Sequence, residues 1–173
     1  YTTTDTLSLH DALPIFGLNV ALGTALKAGA SVVLVERFDP SSAIEAIQKY
    51  GVTVLAGAPT MWSTWAAMTD LPADAFSTVG IAMSGAAALD PQVATTIRER
   101  FGLEVGEGYG LTEASPVVTT SFGLPWRPGS VGSALDGVEI RLVDVDGEDA
   151  LIGDPGEIWV RGPNVFHGYW NDE

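Results

Sequence analysis

Hydrophobic and polar positions change rhythm twice along the chain. Residues 18–26 are dominated by alanine and leucine, which predicts a buried helix closing at Ala28-Gly29, with glycine as the C-terminal stop. Ser31-Val32-Val33-Leu34-Val35 is a short β-branched run, expected as a strand buried on both faces. Pro40-Ser41-Ser42 then opens a helix in which Ser42 and Glu45 have capping-box spacing, and Ile44, Ile47 and Tyr50 recur at helical spacing before Gly51. Residues 52–56 read as the next strand. Pro59 or Thr60 starts a helix carrying Met61, Trp62, Trp65 and Met68, followed by a polar loop over 69–78. A strand over 79–83 ends in Ser84-Gly85. Asp90 and Pro91 supply an N-cap and first-turn proline for a helix to Phe101, stopped by Gly102. The strand expected over 103–107 runs directly into Gly108-Tyr109-Gly110-Leu111-Thr112-Glu113, which reads as a turn.

Strands separated by helices of about ten residues imply an α/β fold with a parallel sheet flanked by helices on both faces. Ligands of such sheets bind beyond the carboxyl ends of the strands. Ser84-Gly85-Ala86-Ala87-Ala88 and residues 108–113 both fall there. Past Glu113 the period shortens to two: Val138-Glu139-Ile140-Arg141-Leu142 and Gly156-Glu157-Ile158-Trp159-Val160-Arg161 alternate, with a hairpin turn expected at Asp146-Gly147. These predict a small antiparallel β-barrel-like subdomain after the parallel sheet. The boundary is placed near residues 122–128, dividing the chain into an α/β part (16–122) and a β part (123–173). Residues 1–15 follow neither period. Leu7-Ser8-Leu9-His10-Asp11-Ala12-Leu13-Pro14-Ile15 resembles the translated read-through of a sequencing-library adapter, so 1–15 is expected to be a non-native leader.

Composition narrows the partners. The 173 residues are 46% hydrophobic, enough for a substantial core. With 22 acidic residues against 8 basic ones, the formal charge is −14, which disfavours nucleic acid and anionic membranes. A nucleotide remains compatible, because backbone N–H groups and a divalent metal can supply local positive potential. Cysteine is absent, which removes disulfides and thiolate chemistry. No apolar run approaches the ~20 residues of a spanning helix, and a cytoplasmic location is expected.

The stretch from Gly108 to Glu113 carries the candidate chemistry. Glycines let a ligand approach the backbone closely; tyrosine offers a flat face, threonine a hydroxyl and glutamate a hard oxygen ligand for Mg²⁺. Together with Met83-Ser84-Gly85-Ala86-Ala87, with Gly129-Ser130-Val131-Gly132, and with the run of residues 156–170, this stretch resembles the adenylate-forming (AMP-binding) superfamily, specifically the fatty-acyl-CoA synthetases. The blocks keep the family's order over residues 16–173.

The resemblance implies a two-step ligation: a carboxylic acid attacks the α-phosphate of Mg·ATP to give an acyl-adenylate and pyrophosphate, and the thiol of coenzyme A displaces AMP. By the family pattern, Tyr109 lies against adenine, Thr112 bonds the α-phosphate and Glu113 holds Mg²⁺. Gly85, Ala86 and Ala87 line the crevice between adenine and the acyl carboxylate, while Gly108 and Gly110 shape the turn. The phosphate loop, ribose-binding aspartate, hinge and lid of the family have no counterpart here, and Pro14 stands where the family has histidine. The chain therefore reads as an internal fragment of the parent ligase, expected to be nearly inactive alone. An adenylation domain loading a carrier protein, an aryl-acid ligase, and a non-catalytic nucleotide-binding module are the alternatives. His10 and His167 read as non-catalytic, Trp62 and Trp65 as core, and Asp144-Val145-Asp146-Gly147-Glu148-Asp149 as a solvated hairpin tip rather than a calcium loop. Arg161 reads as solvent-facing.

Overall fold

The computed structural model describes residues 15–171. His10, Pro14 and nearly all of the expected leader lie outside them. A π-helical stretch, Phe16–Gly23, runs into a single α-turn, α1 (Thr24–Lys27). Then follow α2 (Pro40–Tyr50), β1 (Val54–Gly57), α3 (Pro59–Ala67), β2 (Ile81–Ser84), α4 (Pro91–Phe101) and β3 (Val105–Gly110). A 3-10 turn at Thr112–Ala114 precedes β4 (Val117–Thr120), β5 (Ser133–Ala134), β6 (Glu139–Val143) and β7 (Glu157–Arg161).

The first sheet has the order β1-β2-β3-β4-β5, parallel from β1 to β3 and antiparallel from β3 to β5. The α/β class holds, with a mixed sheet rather than a purely parallel one. Because β1, β2 and β3 are consecutive neighbours running one way, right-handed crossovers put their connecting helices on the same face. The core agrees: Ile44 and Ile47 of α2, Trp62 and Trp65 of α3, and Ala94 and Ile97 of α4 join Ala82 and Val105 of the strands in one cluster. Helices α2, α3 and α4 thus share one layer against the sheet. Trp62 and Trp65 are fully buried, and Trp65 makes edge contacts to Phe38, Trp62 and Phe76 at 5.3, 5.4 and 5.4 Å between centroids. Both are core residues, as their spacing predicts.

Helix ends follow local chemistry. Asp90 caps α4, its Oδ1 accepting from Gln92 N–H at 2.8 Å, and Gly102 ends the helix at φ 68°. At α2 the cap is Asp39, whose Oδ1 accepts from Ser42 N–H at 2.8 Å. The expected capping box at Ser42 therefore does not form. Pro40 takes the first helical position, which fixes the N-terminus three residues earlier than a Ser42 cap would.

Two elements differ from their expectation. Residues 18–26 are helical, yet none is buried and Leu18 is 57% exposed. Residues 31–35 form no strand, and Leu34 is 80% exposed. A strand is made by its ladder, and no described segment pairs with this run.

After β5 the chain forms a two-stranded antiparallel ladder, Glu139 opposite Arg161 through Val143 opposite Glu157. No closed barrel is present among the described residues. The turn at Asp146-Gly147 is as expected: Gly147 sits at φ 84°, and Asp144 Oδ1 accepts from the N–H groups of Asp146 and Glu148 at 2.9 and 3.0 Å. These inward bonds turn Asp144 to the loop's own backbone, the behaviour of a hairpin tip. Arg161 is exposed and ion-paired with Glu139.

Candidate functional site

The sheet brings the sequence-predicted residues to one end. Gly57 pairs with Ser84, and Ser84 with Glu107, so the segments leaving β1 and β2 depart from the level at which β3 reaches Gly108. Gly85 follows β2 directly, is buried, and donates its N–H to Gly57 O at 3.2 Å. A Cβ there would come within 2.4 Å of the Phe16 ring, so any side chain at 85 would have to displace that ring. Ala86 holds a positive φ of 74°, rare for a residue with a side chain, and Ala87 is exposed. Residues 85–87 therefore make a tight bend of small residues at a strand's carboxyl end, left-handed at Ala86.

The stretch read as a turn is mostly strand. Gly108, Tyr109 and Gly110 belong to β3 and pair with Thr120, Thr119 and Val117 of β4, with a register shift between Tyr109 and Gly110. The glycines serve close approach rather than turning. A Cβ on Gly108 would stand 2.7 Å from Thr119 O, and one on Gly110 would stand 2.0 Å from Pro116 O. At the register shift the Thr119 hydroxyl accepts from Tyr109 N–H at 3.0 Å and donates to Val131 O at 2.6 Å. Tyr109 is half-buried against the second apolar cluster, which contains Ala114, Val118 and Val138.

The turn proper is Thr112–Ala114, with Thr112 exposed and Glu113 partly exposed. It is clasped from the far end of the chain. Asn164 Nδ2 donates to Ala114 O at 3.0 Å and to Val117 O at 2.9 Å, and Phe166 N–H donates to Glu113 O at 2.9 Å. Tyr169 completes the clasp by donating its hydroxyl to Glu113 Oε1 at 2.5 Å. That bond, ahead of the backbone contribution, holds the Glu113 carboxyl below the usual glutamate range and pushes the Tyr169 phenol up. Glu113 is therefore held as an anion, its Oε1 engaged by Tyr169. Among the described residues no three or more His, Cys, Asp or Glu side chains are placed to hold a metal ion together. A lone hard carboxylate suits Mg²⁺ carried in on a nucleotide's phosphates, since that ion keeps waters and substrate oxygens rather than needing a protein cage.

Sequence reasoning missed Asn164 and Tyr169 as part of this site, although both stand in the downstream block. Their bonds span 47 to 56 residues, and no local periodicity reports such pairings. It also missed Glu107, buried at 6% exposure, whose signal was the alternation Val105, Glu107, Tyr109 against Gly106, Gly108, Gly110. His167 is exposed.

The arrangement offers a small-residue bend at the end of one strand, an aromatic and glycines at the end of the next, and a hydroxyl and carboxylate on the turn that follows. Chains similar to this one include the 4-coumarate–CoA ligase of Pinus taeda, 36% identical over 91% of this chain and 31% of its own length. The long-chain-fatty-acid–CoA ligase of Bacillus subtilis (strain 168) is 34% identical over 91% of this chain and 28% of its own. The crystal structure of ATP-bound MatB from Rhodopseudomonas palustris superposes with a TM-score of 0.84 at 34% identity, over 99% of this chain and 34% of that one. This chain thus spans about a third of the length of the curated relatives it matches. Residues 2–170 match the family described as AMP-binding enzyme, and the chain belongs to that family.

Proposed function

We propose that this chain is part of an ATP-dependent acyl-CoA synthetase that activates a carboxylic acid as its acyl-adenylate and passes the acyl group to coenzyme A. The observation that carries the reading is the turn after β3, where Thr112 is exposed and the Glu113 carboxyl is held below the usual glutamate range by the Tyr169 hydroxyl. In this reading Tyr109 packs against adenine. Thr112 donates its hydroxyl to the α-phosphate, Glu113 holds the Mg²⁺ that the nucleotide brings, and Gly85, Ala86 and Ala87 admit the acid and the nucleotide edge to edge. Mg²⁺ supplies charge neutralisation on the phosphates; the chain's own contribution is alignment of the carboxylate with the α-phosphate. The family membership and the ATP bound to the MatB relative support a nucleotide in this position.

The acid is proposed to be fatty, as the four blocks together resemble the fatty-acyl-CoA synthetases and the B. subtilis relative is a long-chain-fatty-acid ligase. An aryl acid is the second reading, favoured by the P. taeda relative, a 4-coumarate ligase. Residues 16–122 are proposed as the nucleotide-binding part and 123–173 as part of a second subdomain. The described residues contain no helix long and apolar enough to cross a membrane, and cytoplasmic action is proposed. The fragment alone is proposed to be nearly inactive, because groups that stabilise the pentavalent phosphate lie elsewhere in the family.

The test is acid-dependent pyrophosphate release by the complete protein against a panel of fatty and aryl acids, followed by thioester formation with coenzyme A. Release with fatty acids supports the first reading, and release with aryl acids alone supports the second. A protein that binds AMP but releases no pyrophosphate with any acid is a nucleotide-binding module, and the ligase reading fails. Glu113→Ala should raise the Mg²⁺ concentration needed for half-maximal release; an unchanged requirement removes its metal role.

A further inference from the structure

Glu107 is a buried carboxylate with no ion pair among the described residues, on the strand that carries Tyr109. Its Oε2 accepts from Leu89 N–H at 3.1 Å and its Oε1 from Gly129 N–H at 3.3 Å. Its backbone is pinned as well: Glu107 N–H donates to Ser121 Oγ at 2.8 Å, and Glu107 O accepts from Ser121 N–H at 2.9 Å. A carboxylate taken out of water without a cation is costly, and an apolar side chain usually fills such a position at lower cost. Val105, two residues earlier on the same face, is that apolar solution. Filling space therefore does not explain an acid at 107.

What the acid does is join three segments. Leu89, 2% exposed, closes the loop that begins at Gly85, and the next residue, Asp90, caps α4. Gly129 lies against the first turn of the same helix, where an added Cβ would be 3.1 Å from Pro91 Cγ. Among the described residues Ser84, in register with Glu107, has a buried hydroxyl with no hydrogen-bond partner, and the two loop amides are the groups that engage the carboxylate. Both donors are backbone groups, which move only when their loops move.

We propose that Glu107 is a positioning residue: its two carboxylate oxygens lock the 85–89 loop and the Gly129 loop to β3 and so set the separation between the small-residue bend and Tyr109. The inference deepens the nucleotide-binding reading and rests on it. The consequence is specific to the nucleotide, since a loosened 85–89 loop changes the width of the slot that receives adenine while the Thr112–Ala114 turn stays clasped through Asn164 to Ala114 O and Tyr169 to Glu113.

The experiment uses the complete protein with Glu107→Met, which keeps length and apolar volume but removes both acceptors, and Glu107→Gln, which keeps one. AMP affinity is measured by calorimetry beside melting temperature. Loss of bonds to a charged acceptor predicts AMP binding weakened about ten-fold or more in the Met variant and about three-fold in the Gln variant. Melting temperature in the Gln variant should stay near wild type. AMP affinity within two-fold of wild type in both variants, even with a lowered melting temperature, overturns the proposal and leaves Glu107 a stability residue. Should the Met variant not fold, the Gln variant decides alone: weakened AMP binding supports the proposal and wild-type affinity overturns it. A wild-type protein that binds AMP yet releases no pyrophosphate removes the ligase reading only, and the affinity ratios still judge Glu107. A wild-type protein that binds no AMP overturns both.

Discussion

The Tyr169 hydroxyl donates to the Glu113 carboxylate across 56 residues of sequence, tying the last block of the chain to the turn that follows β3. Both groups are solvent-accessible, so the bond is screened and its value lies in orientation rather than in stability. It lowers the Glu113 carboxyl and raises the Tyr169 phenol, so at neutral pH the pair is carboxylate plus phenol. A depressed acid contributes above its unfolded value, and the contribution is lost as pH falls through the folded one. Tyr169→Phe should move the Glu113 midpoint up toward the ordinary glutamate range, read by NMR titration of the side-chain carboxyl. An unmoved midpoint would assign the shift to the backbone contribution instead.

Gly110 is held by steric need. A Cβ placed on it would sit 2.0 Å from Pro116 O, a backbone atom that also accepts from Leu111 N–H at 2.8 Å and so cannot retreat freely. Gly110→Ala should cost roughly 3 kcal/mol or more, in the range of severe overpacking. Gly80 is the control: its nearest non-neighbour atom would be 3.9 Å from a Cβ, and Gly80→Ala should change stability by less than about 1 kcal/mol. Urea midpoints of the two variants check the contrast.

Such contacts explain which parts of the chain could be read in advance. Helices α3 and α4 were legible because their signals are local: Pro59, Asp90-Pro91 and Gly102 act on their own neighbours, and Trp62 and Trp65 mark a buried face by spacing. Residues 31–35 were not, because β propensity names a candidate and only a pairing partner makes a strand. The motif after Glu107 was recognised while its conformation was misjudged. Glycine is the residue of turns and equally of close strand approach, and only the backbone that a Cβ would meet, Thr119 O of β4 at 2.7 Å and Pro116 O just before it at 2.0 Å, distinguishes the two. Tyr109, Thr112 and Glu113 were found by residue type, whereas the groups that hold them, Thr119, Asn164 and Tyr169, come from other parts of the chain.

Asp39 gives α2 a pH-sensitive end. Its carboxyl is lowered first by the bond from Ser42 N–H, and it caps the helix from an exposed position. The sign follows: capping is fully present above the ordinary aspartate value and disappears as pH falls through the lowered folded value. Amide exchange at Ser42 should therefore accelerate, after correction for intrinsic rates, over that acidic window in the wild type. Asp39→Asn keeps a capping oxygen without a proton to gain, and its Ser42 protection should stay flat with pH. A wild-type profile as flat as that of the Asn variant would mean that the bond does not hold the helix end.

Trp62 and Trp65 offer the same substitution in two hydrogen-bond environments. Both are fully buried on α3, but Trp65 Nε1 donates to Pro40 O at 3.1 Å, whereas Trp62 Nε1 has no hydrogen-bond partner. Replacing either by alanine should cost about 3–5 kcal/mol through cavity formation. Phenylalanine separates the contributions. Trp65→Phe loses volume and the link between α3 and the first residue of α2, leaving Pro40 O without that donor, while Trp62→Phe loses volume and relieves an unpaired N–H. Trp65→Phe should thus be more destabilising than Trp62→Phe by about 1 kcal/mol. Chemical denaturation of the two variants measures the difference directly, and equal losses would show that packing alone sets the worth of this aromatic pair.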